Sequence, residues 1–253
     1  MGDWMIQISG MPVLANSVTQ SGTIEDVILE HMQKAPVVYS FISTDELLFE
    51  IKVRKNIIIS ARAMEEGNAR FTIFEYARCN PRYWILTSSG GFQLRPDVRP
   101  SDAIHDIFKN SSLYAFECAT ATVIIFYYTA LKSIGASLFN HLFQNLYLYS
   151  WHSDADLRIH TFYANHYLPG DVVYFNNPDF NPKTHWYRGV NAVVLQDDQF
   201  FGHGFGIRTA EQMIQFLNKK RKPQGSTSAY LTNLVTRLQL NSISFLPDNN
   251  PYL

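Results

Sequence analysis

The sequence has few cysteines, and their arrangement suggests neither cross-linking nor metal binding. Its 253 residues include two cysteines, Cys79 and Cys118, and no Cys-x-x-Cys pair. A disulfide framework and a structural zinc site both require several cysteines, or cysteines with suitably spaced histidines, so neither is expected. The acidic loop pattern of an EF-hand is also missing, which argues against a dedicated calcium site.

Long apolar runs and a strong charge bias are lacking too. The apolar segment from Ala119 to Leu131 is 13 residues long, whereas a helix needs ~20 residues to span a bilayer. The N-terminus, MGDWMIQISG, has no basic region followed by an apolar core, so we expect synthesis inside the cell without a secretion signal. The net charge of -1 at pH 7 gives no general reason to expect nucleic acid or an anionic membrane as a partner.

What the sequence does contain is the composition of a folded protein with bulky interior side chains. Apolar residues make up 46% of the chain and aromatic residues 14%, which excludes a disordered chain. The length allows one large core or two small ones, and we predict a single domain over 1–253. Within it we expect a helix-rich elaboration over 1–110, a central helix with core sheet and C-terminal helices over 111–240, and a polar tail over 241–253.

Capping residues and periodicity predict helices mainly in the first half and strands mainly in the second. Thr23, Ser43 and Pro100 each precede or open a helical pattern, and the second pattern stops at Gly67. We predict helices over 24–34, 44–66, 101–110, 118–131, 209–220 and 226–238. We predict strands over 4–8, 145–151, 170–175, 191–195 and 200–207, and a helix followed by a strand over 70–86. This order indicates an α+β fold.

The stretch YAFECATATVIIFYY, residues 114 to 128, places Cys118 beside Glu117 at the start of a helix that is apolar all round. A helix N-terminus supplies free backbone N–H groups and a positive dipole end, which can activate a thiol. A buried structural cysteine is the commoner role for such a residue, and Cys79 is interpreted in that way. Glu117 either caps the helix or takes part in proton transfer.

At this point a resemblance to a known family can be stated. YAFECATATVIIFYY resembles the nucleophile segment of the spore-coat transglutaminases of Bacillus, which join coat proteins by ε-(γ-glutamyl)lysine isopeptide bonds. Six other stretches, in the same order, are similar to that family: DELLFEIKVRKNII (45–58), RFTIFEYARCNPRYW (70–84), PSDAIHDIFKN (100–110), PGDVVYFNNPDFNP (169–182), FFGHGFGI (200–207) and SAYLTNLVTRL (228–238).

The resemblance implies a compact papain-like domain related to the NlpC/P60 peptidases. Its nucleophile lies on a buried central helix that packs against a small, mostly antiparallel sheet, with extra helices at the N-terminus. In the spore enzymes the residue that partners the thiol is a glutamate in a Gly-Glu-Asn sequence, and here those positions read Gly189-Val190-Asn191. Valine can neither accept a proton nor pair with a charge.

Two interpretations of the missing glutamate follow. The first is that Cys118 works with Glu117 alone, with reduced activity. Ionised Glu117 would disfavour the thiolate by like-charge repulsion, so one proton shared between the two groups is the expected resting state. The second is an impaired protein that keeps its fold and its binding surface.

The resemblance also implies supporting residues. His203 would orient the substrate or act as an alternative base, or else be a histidine satisfied inside the sheet. Phe71, Trp151, Trp186 and Tyr187 match or neighbour aromatic positions that line a tunnel around the thiol in the family, and such a lining would keep water from the thioester. Arg188 would pair with a carboxylate near the site or lie on the surface.

The resulting prediction is a calcium-independent acyltransferase without cofactors. Its partners would be spore coat proteins that supply glutamine and lysine side chains, with no nucleic acid and no membrane. Its expected location is the mother-cell cytoplasm and then the spore coat. The alternatives are a cysteine amidase or peptidase on the same fold and a non-catalytic coat-binding protein.

Overall fold

The first two helices begin where the sequence places capping side chains. The computed structural model describes residues 6–13 and 20–240. Thr23 Oγ1 accepts a hydrogen bond from Asp26 N at 3.2 Å, and Ser43 Oγ accepts one from Glu46 N at 3.1 Å. These two caps open the first two helices. The helices are α1 (Ile24–Lys34), α2 (Thr44–Glu66), α3 (Pro100–Lys109), α4 (Cys118–Ile134), α5 (Ala136–Leu142) and α6 (Ala210–Asn218).

Within the residues that the structure describes, the strands form one large sheet and three small ones. They are β1 (Ile6–Ile8), β2 (Met11–Pro12), β3 (Tyr39–Phe41), β4 (Arg70–Phe71), β5 (Trp84–Leu86), β6 (Phe92–Leu94), β7 (Ala115–Phe116), β8 (Tyr147–Leu148), β9 (Ile159–Tyr163), β10 (Val172–Asn176), β11 (Gly189–Val194), β12 (Gln199–Gly202), β13 (Gly206–Thr209) and β14 (Tyr230–Leu238). The large sheet has the order β13-β12-β11-β10-β14-β9, and each of its pairs is antiparallel. The small sheets are β2-β1-β3, β4-β7 and β5-β6-β8.

Four predicted elements differ from the structure. The segment 70–86, predicted as a helix followed by a strand, begins with β4, continues through a short 3-10 turn at Phe74–Tyr76 and ends with β5, without an α-helix. The segment 226–238, predicted as a helix, contains β14, which pairs with β9 and β10 inside the large sheet. The segment 200–207 is not one strand but parts of the β12–β13 hairpin. The segment 145–151 contributes only the two residues of β8, and they pair with β6 rather than with the large sheet. The polar tail over 241–253 and the first residues of the strand predicted over 4–8 lie outside the described residues.

Alternating side chains divide the large sheet into two apolar faces. Val172, Val193 and Phe201 join the main core formed with the helices. Their neighbours Val173 and Val190 join a second apolar cluster with residues of α6, such as Met213. The alternation is what a strand buried on both faces requires. The side on which a strand residue lies therefore decides which core it enters.

Helix α4 lies at the centre of the main core. It contacts α2, α3, α5 and strand β11, and nearly all of its side chains from Ala119 to Leu131 are buried. A helix that is apolar all round must be enclosed in this way. The observed arrangement confirms the predicted α+β class, in which a buried central helix packs against an antiparallel sheet.

A cluster of buried charges joins α2 to the large sheet. Asp171, fully buried just before β10, accepts hydrogen bonds from Arg54 Nη1 at 3.0 Å and from Arg237 Nη2 at 2.7 Å. The Leu168 N–H donates to the same carboxylate, and Glu50 accepts from Arg54 Nε at 2.7 Å. Burial alone would raise the pKa of Asp171, but the two guanidinium groups outweigh it and hold that pKa below its usual value.

Within the described residues, no helix combines the length and the apolar character needed to cross a membrane.

Candidate active site

The first turn of α4 is organised by the side chain of Glu117. Glu117 is the N-cap residue, with Oε2 accepting from Ala119 N at 2.7 Å and Oε1 accepting from Thr120 N at 2.6 Å. Oε1 also accepts from the Thr120 hydroxyl at 2.8 Å. A carboxylate suits this position because it satisfies unpaired helix amides and faces the positive end of the helix dipole. Glu117 is therefore a helix cap as well as a neighbour of the thiol.

The Cys118 thiol is held in its protonated form. Burial, together with the charge of Glu117 and a hydrogen bond to it, raises the pKa of Cys118 to about 12. The backbone N–H groups of Asn191 and of Cys118 itself act in the opposite direction. Glu117 disfavours the thiolate, as the sequence predicted. The backbone N–H groups at the helix terminus do not bring the pKa of Cys118 below its usual value. Cys118 keeps part of its surface exposed, so the thiol remains reachable.

A cavity of about 540 Å³ opens onto the sulfur. Six of the residues singled out in the sequence line it: Cys118, Glu117, Phe71, Trp151, Trp186 and Arg188. A second cavity of about 350 Å³ shares four lining residues with the first: Trp151, Tyr174, Asn191 and Leu234. Most of the lining of the larger cavity is aromatic or aliphatic, with a few polar groups near the thiol. This is the usual make-up of a site for a small organic group.

The strand next to the thiol presents Asn191, not Val190. Asn191 lines the cavity and its Nδ2 lies 3.9 Å from Cys118 Sγ. Val190 is fully buried in the second apolar cluster, on the opposite face of the sheet, where it packs against Gly202. The position predicted for the missing carboxylate is thus turned away from the sulfur, since successive residues of a strand point to opposite faces.

His203 and Tyr187 are not among the residues that line the cavity. His203 is buried and its ring stacks on Phe116, with centroids 4.8 Å apart. Burial lowers the pKa of His203 to about 4, against a smaller opposing effect of the backbone groups of Arg70 and Phe116. His203 Nε2 has no hydrogen-bond partner within the described part of the chain. His203 thus lies outside the cavity as a buried packing residue, but it is not the fully satisfied histidine of the alternative role, and its part in the reaction stays a prediction. Tyr187 packs in the second cluster, against Phe205.

Comparison with known proteins gives the site its chemical context. The model of the family described as protein-glutamine gamma-glutamyltransferase matches residues 5–247 of this chain. This chain belongs to that family. A protein-glutamine gamma-glutamyltransferase of Halalkalibacterium halodurans is 58% identical over 238 residues, covering 94% of this chain and 84% of that protein.

Further relatives agree with this assignment. A protein-glutamine gamma-glutamyltransferase of Bacillus mycoides is 44% identical over 241 residues, covering 95% of this chain and 87% of its own. The solved structure of a transglutaminase from Geobacillus stearothermophilus, without its C-terminal extension, has a TM-score of 0.77 and 49% identity, covering 80% of this chain and 97% of that one. The protein is therefore a transferase that acts on protein glutamine, and its fold is that of a bacterial transglutaminase.

Several cavity residues of this transglutaminase were missed in the sequence. They include Tyr174, His185, Ser150 and Asn191. Tyr174 and Asn191 pair across β10 and β11 and so share one face, but this register is a property of the fold that no local sequence signal gives. Gly189 makes room for this arrangement, because a larger residue there would collide with the Tyr174 ring and the Phe175 carbonyl. No local pattern marks Ser150, which adopts a φ of +49° at the edge of the site, a strained value for serine.

The other thiol of the transglutaminase has a different environment. Cys79 packs against the main core and does not line the cavity. Burial raises the pKa of Cys79 to about 11, so it matches the structural role predicted for it. Within the described residues, no group of three or more His, Cys, Asp or Glu side chains is placed to hold a metal ion. Independence from calcium stays a prediction.

Proposed function

We propose that Cys118 is the nucleophile that forms a thioester with the side chain of a protein glutamine, and that a lysine amine then converts the thioester into an isopeptide bond. The observation that carries this proposal is the single cavity-facing thiol at the N-terminus of α4, beside Glu117. Family membership supplies the reaction class, and the geometry supplies the reacting groups.

Glu117 is the proposed proton acceptor. The thiol is protonated at rest, so its proton must leave as sulfur attacks the amide carbon. In the proposed sequence the proton passes to Glu117 while the S–C bond forms, and then to the departing nitrogen as the C–N bond breaks and ammonia is released. Attack by the lysine amine breaks the S–C bond, forms the new amide bond and returns a proton to sulfur. An aromatic-lined cavity favours this outcome because it limits competing hydrolysis.

We further propose that turnover is reduced, because Glu117 is the one carboxylate among the described residues that line the cavity, while the side chain at position 190 faces away from the thiol. Without a second carboxylate, Glu117 must both cap α4 and move the proton. Its two oxygens already accept three hydrogen bonds, and one of these must weaken when an oxygen takes up the proton. The alternative of an inactive coat-binding protein is less favoured because thiol, carboxylate and cavity are all in place.

The proposed substrates are spore coat proteins, with the protein made in the mother-cell cytoplasm and then located in the coat. The resemblance to the spore-coat enzymes supports this assignment. A direct test compares amine labelling of extracted coat proteins with labelling of a cytoplasmic extract of the same protein content. Preferential labelling of coat proteins in the presence of a calcium chelator is expected. Equal labelling of both extracts would contradict the proposed substrates, and a requirement for calcium would contradict the predicted independence from calcium.

The test of the reaction itself uses the two cysteines as a matched pair. The protein, Cys118→Ala and Cys79→Ala are incubated with a blocked glutaminyl peptide and a fluorescent primary amine, and both ammonia and labelled peptide are measured. We expect equimolar products from the unchanged protein and from Cys79→Ala, and none from Cys118→Ala. Ammonia without labelled peptide would indicate an amidase, and neither product would indicate a non-catalytic protein.

A further inference from the structure

The helix amides beside the thiol are almost all committed to Glu117. The N–H groups of Ala119 and Thr120 donate to its carboxylate, and that of Ala121 donates to its backbone carbonyl at 3.0 Å. Within the part of the chain that the structure describes, this leaves the Cys118 N–H as the first-turn amide that is turned to the sulfur. A helix N-terminus that would otherwise offer several donors to an oxyanion offers only one here.

Acyl transfer from an amide requires more than one hydrogen-bond donor at the oxyanion. When the thiol attacks a glutamine side chain, the amide oxygen becomes an oxyanion, and preorganised N–H donors at this point are usually the largest single contribution to rate. One backbone N–H satisfies one of the lone pairs of that oxygen. A second donor must come from another element that faces the sulfur.

Asn191 of β11 faces the sulfur with two groups, its backbone N–H and its side-chain amide, and the side chain supplies the additional donor. Its Nδ2 lies 3.9 Å from Cys118 Sγ, too far for a strong hydrogen bond to sulfur but close enough for an oxygen between them at about 2.7–3.1 Å from the nitrogen. Asn191 lines both cavities, so a substrate amide that reaches the thiol also reaches this side chain.

The backbone around Asn191 is fixed before any substrate arrives. Its neighbours Val190 and Ala192 are fully buried in the second apolar cluster, and Asn191 pairs with Tyr174 of β10 within the sheet. A donor held by a strand in this way does not have to reorganise as charge develops.

We propose that Asn191 is a catalytic residue whose side-chain amide, together with the Cys118 N–H, donates to the oxyanion formed during attack on glutamine. The proposal rests on the proposed thioester chemistry of Cys118. Asn191 gives up no proton in any step. Its side-chain N–H donates to the negatively charged oxygen of the substrate from the formation of the S–C bond until the C–N bond breaks. It acts again when the lysine amine attacks the thioester carbonyl.

The test separates this role from simple positioning of the thiol. Asn191→Leu and Asn191→Ala are prepared in a Cys79→Ala background, so that Cys118 is the one reactive thiol. Initial rates of ammonia release are compared with rates of alkylation of Cys118 by iodoacetamide, located by mass spectrometry. Alkylation displaces iodide at a saturated carbon and forms no oxyanion. Asn233→Ala is the control, because Asn233 is exposed on β14 and bonds to Asn165.

We expect ammonia release to fall about 10²–10³-fold in both Asn191 variants, while alkylation and the thermal midpoint stay close to those of the control. Parallel loss of ammonia release and alkylation would overturn the proposal in favour of a positioning role. Ammonia release within about threefold of the control in either variant would overturn it outright. If the unchanged Asn191 background releases no ammonia at all, the proposed function fails first and this inference fails with it.

Discussion

Two polar centres of this transglutaminase, the Asp171 cluster and the Cys118 site, use buried polar groups in opposite ways. Both oxygens of Asp171 are filled by Arg54, Arg237 and a backbone N–H. Within the described residues, the Cys118 sulfur faces two backbone N–H groups and one distant side-chain donor, with a cavity beside it. A buried polar group that is fully paired stabilises one conformation, whereas one that is left incompletely paired at a cavity is available to a substrate. The difference predicts which substitutions cost stability and which cost activity.

The largest expected effect comes from Glu117→Gln, at the incompletely paired centre. Loss of the proton acceptor should lower amine incorporation by about 10²–10⁴-fold, while loss of the charged cap should lower the free energy of unfolding by only about 1 kcal/mol. The rate of amine incorporation is measured by formation of labelled peptide, and the free energy of unfolding by urea unfolding.

Glu46→Gln is the matched control for Glu117→Gln. Glu46 lies in the first turn of α2 and accepts from Ile42 N at 2.6 Å, yet it does not line the cavity. We expect it to change stability to a similar extent and activity hardly at all. Near-normal activity in Glu117→Gln would remove Glu117 from the reaction.

Asp171→Asn should show the opposite pattern. Removing the carboxylate leaves the buried Arg54 and the partly buried Arg237 guanidinium groups with the carboxylate of Glu50 as the remaining one among the described residues of this cluster, so the free energy of unfolding should fall by about 3–5 kcal/mol. Activity per folded molecule should be unchanged. The control is Asp97→Asn, at an exposed ion pair with Arg95, where the expected change is below about 1 kcal/mol. A loss of activity greater than the loss of folded protein would contradict the separation of the two centres.

The same cluster predicts a dependence of stability on pH. The pKa of Asp171 is lower in the folded protein than in the unfolded chain, so its contribution is complete above the unfolded pKa of about 4. The contribution is lost as the pH falls below that value and through the folded pKa. Acid unfolding followed by circular dichroism should therefore be less steep in Asp171→Asn than in the unchanged protein, and equal steepness would show that other carboxylates dominate.

Val190→Glu tests whether a carboxylate on this strand can reach the thiol. Because Val190 faces the second apolar cluster, the added group would be buried without a partner and would overfill the site. We expect a loss of about 2–4 kcal/mol in unfolding free energy and no gain in amine incorporation. Val190→Met, which stays apolar, should cost less. A stable and more active Val190→Glu would show that the start of β11 can turn its side chain toward Cys118.

The smallest effect is expected from His203→Gln. A buried, neutral histidine that does not line the cavity should change the rate of amine incorporation by less than about threefold, and its titration should not appear in the rate near neutral pH because burial lowers its pKa to about 4. A hundredfold loss with unchanged stability would place His203 in the reaction after all.

Local signals in the sequence were sufficient for most helices but not for the last strand. Leu231, Leu234, Val235 and Leu238 recur at helical spacing, which led to the predicted helix over 226–238. In the structure these residues form β14 between β9 and β10, whose backbone groups would otherwise lack partners. Tertiary pairing outweighed a weak local preference, as is common for strands.

Local sequence signals were also insufficient for part of the active site. Cys118 and Glu117 could be read from the sequence because they are adjacent and open a recognisable helix. Asn191 could not, because a shift of one residue in a strand exchanges the two faces of the sheet. The sequence directed attention to Val190, and the fold presents its neighbour instead.

The hydroxyl of Thr120 connects the reacting groups to the wall of the cavity. It donates to Glu117 Oε1 and accepts from the N–H of Ser150 at 2.9 Å, and Ser150 precedes Trp151 in the cavity lining. The hydroxyl has a single proton, so its donation to the carboxylate fixes the direction of this short relay. One oxygen atom, that of the Thr120 hydroxyl, therefore positions both the cavity wall and the carboxylate that receives the thiol proton. A change in the charge of Glu117 acts through this hydroxyl on the segment that carries Trp151.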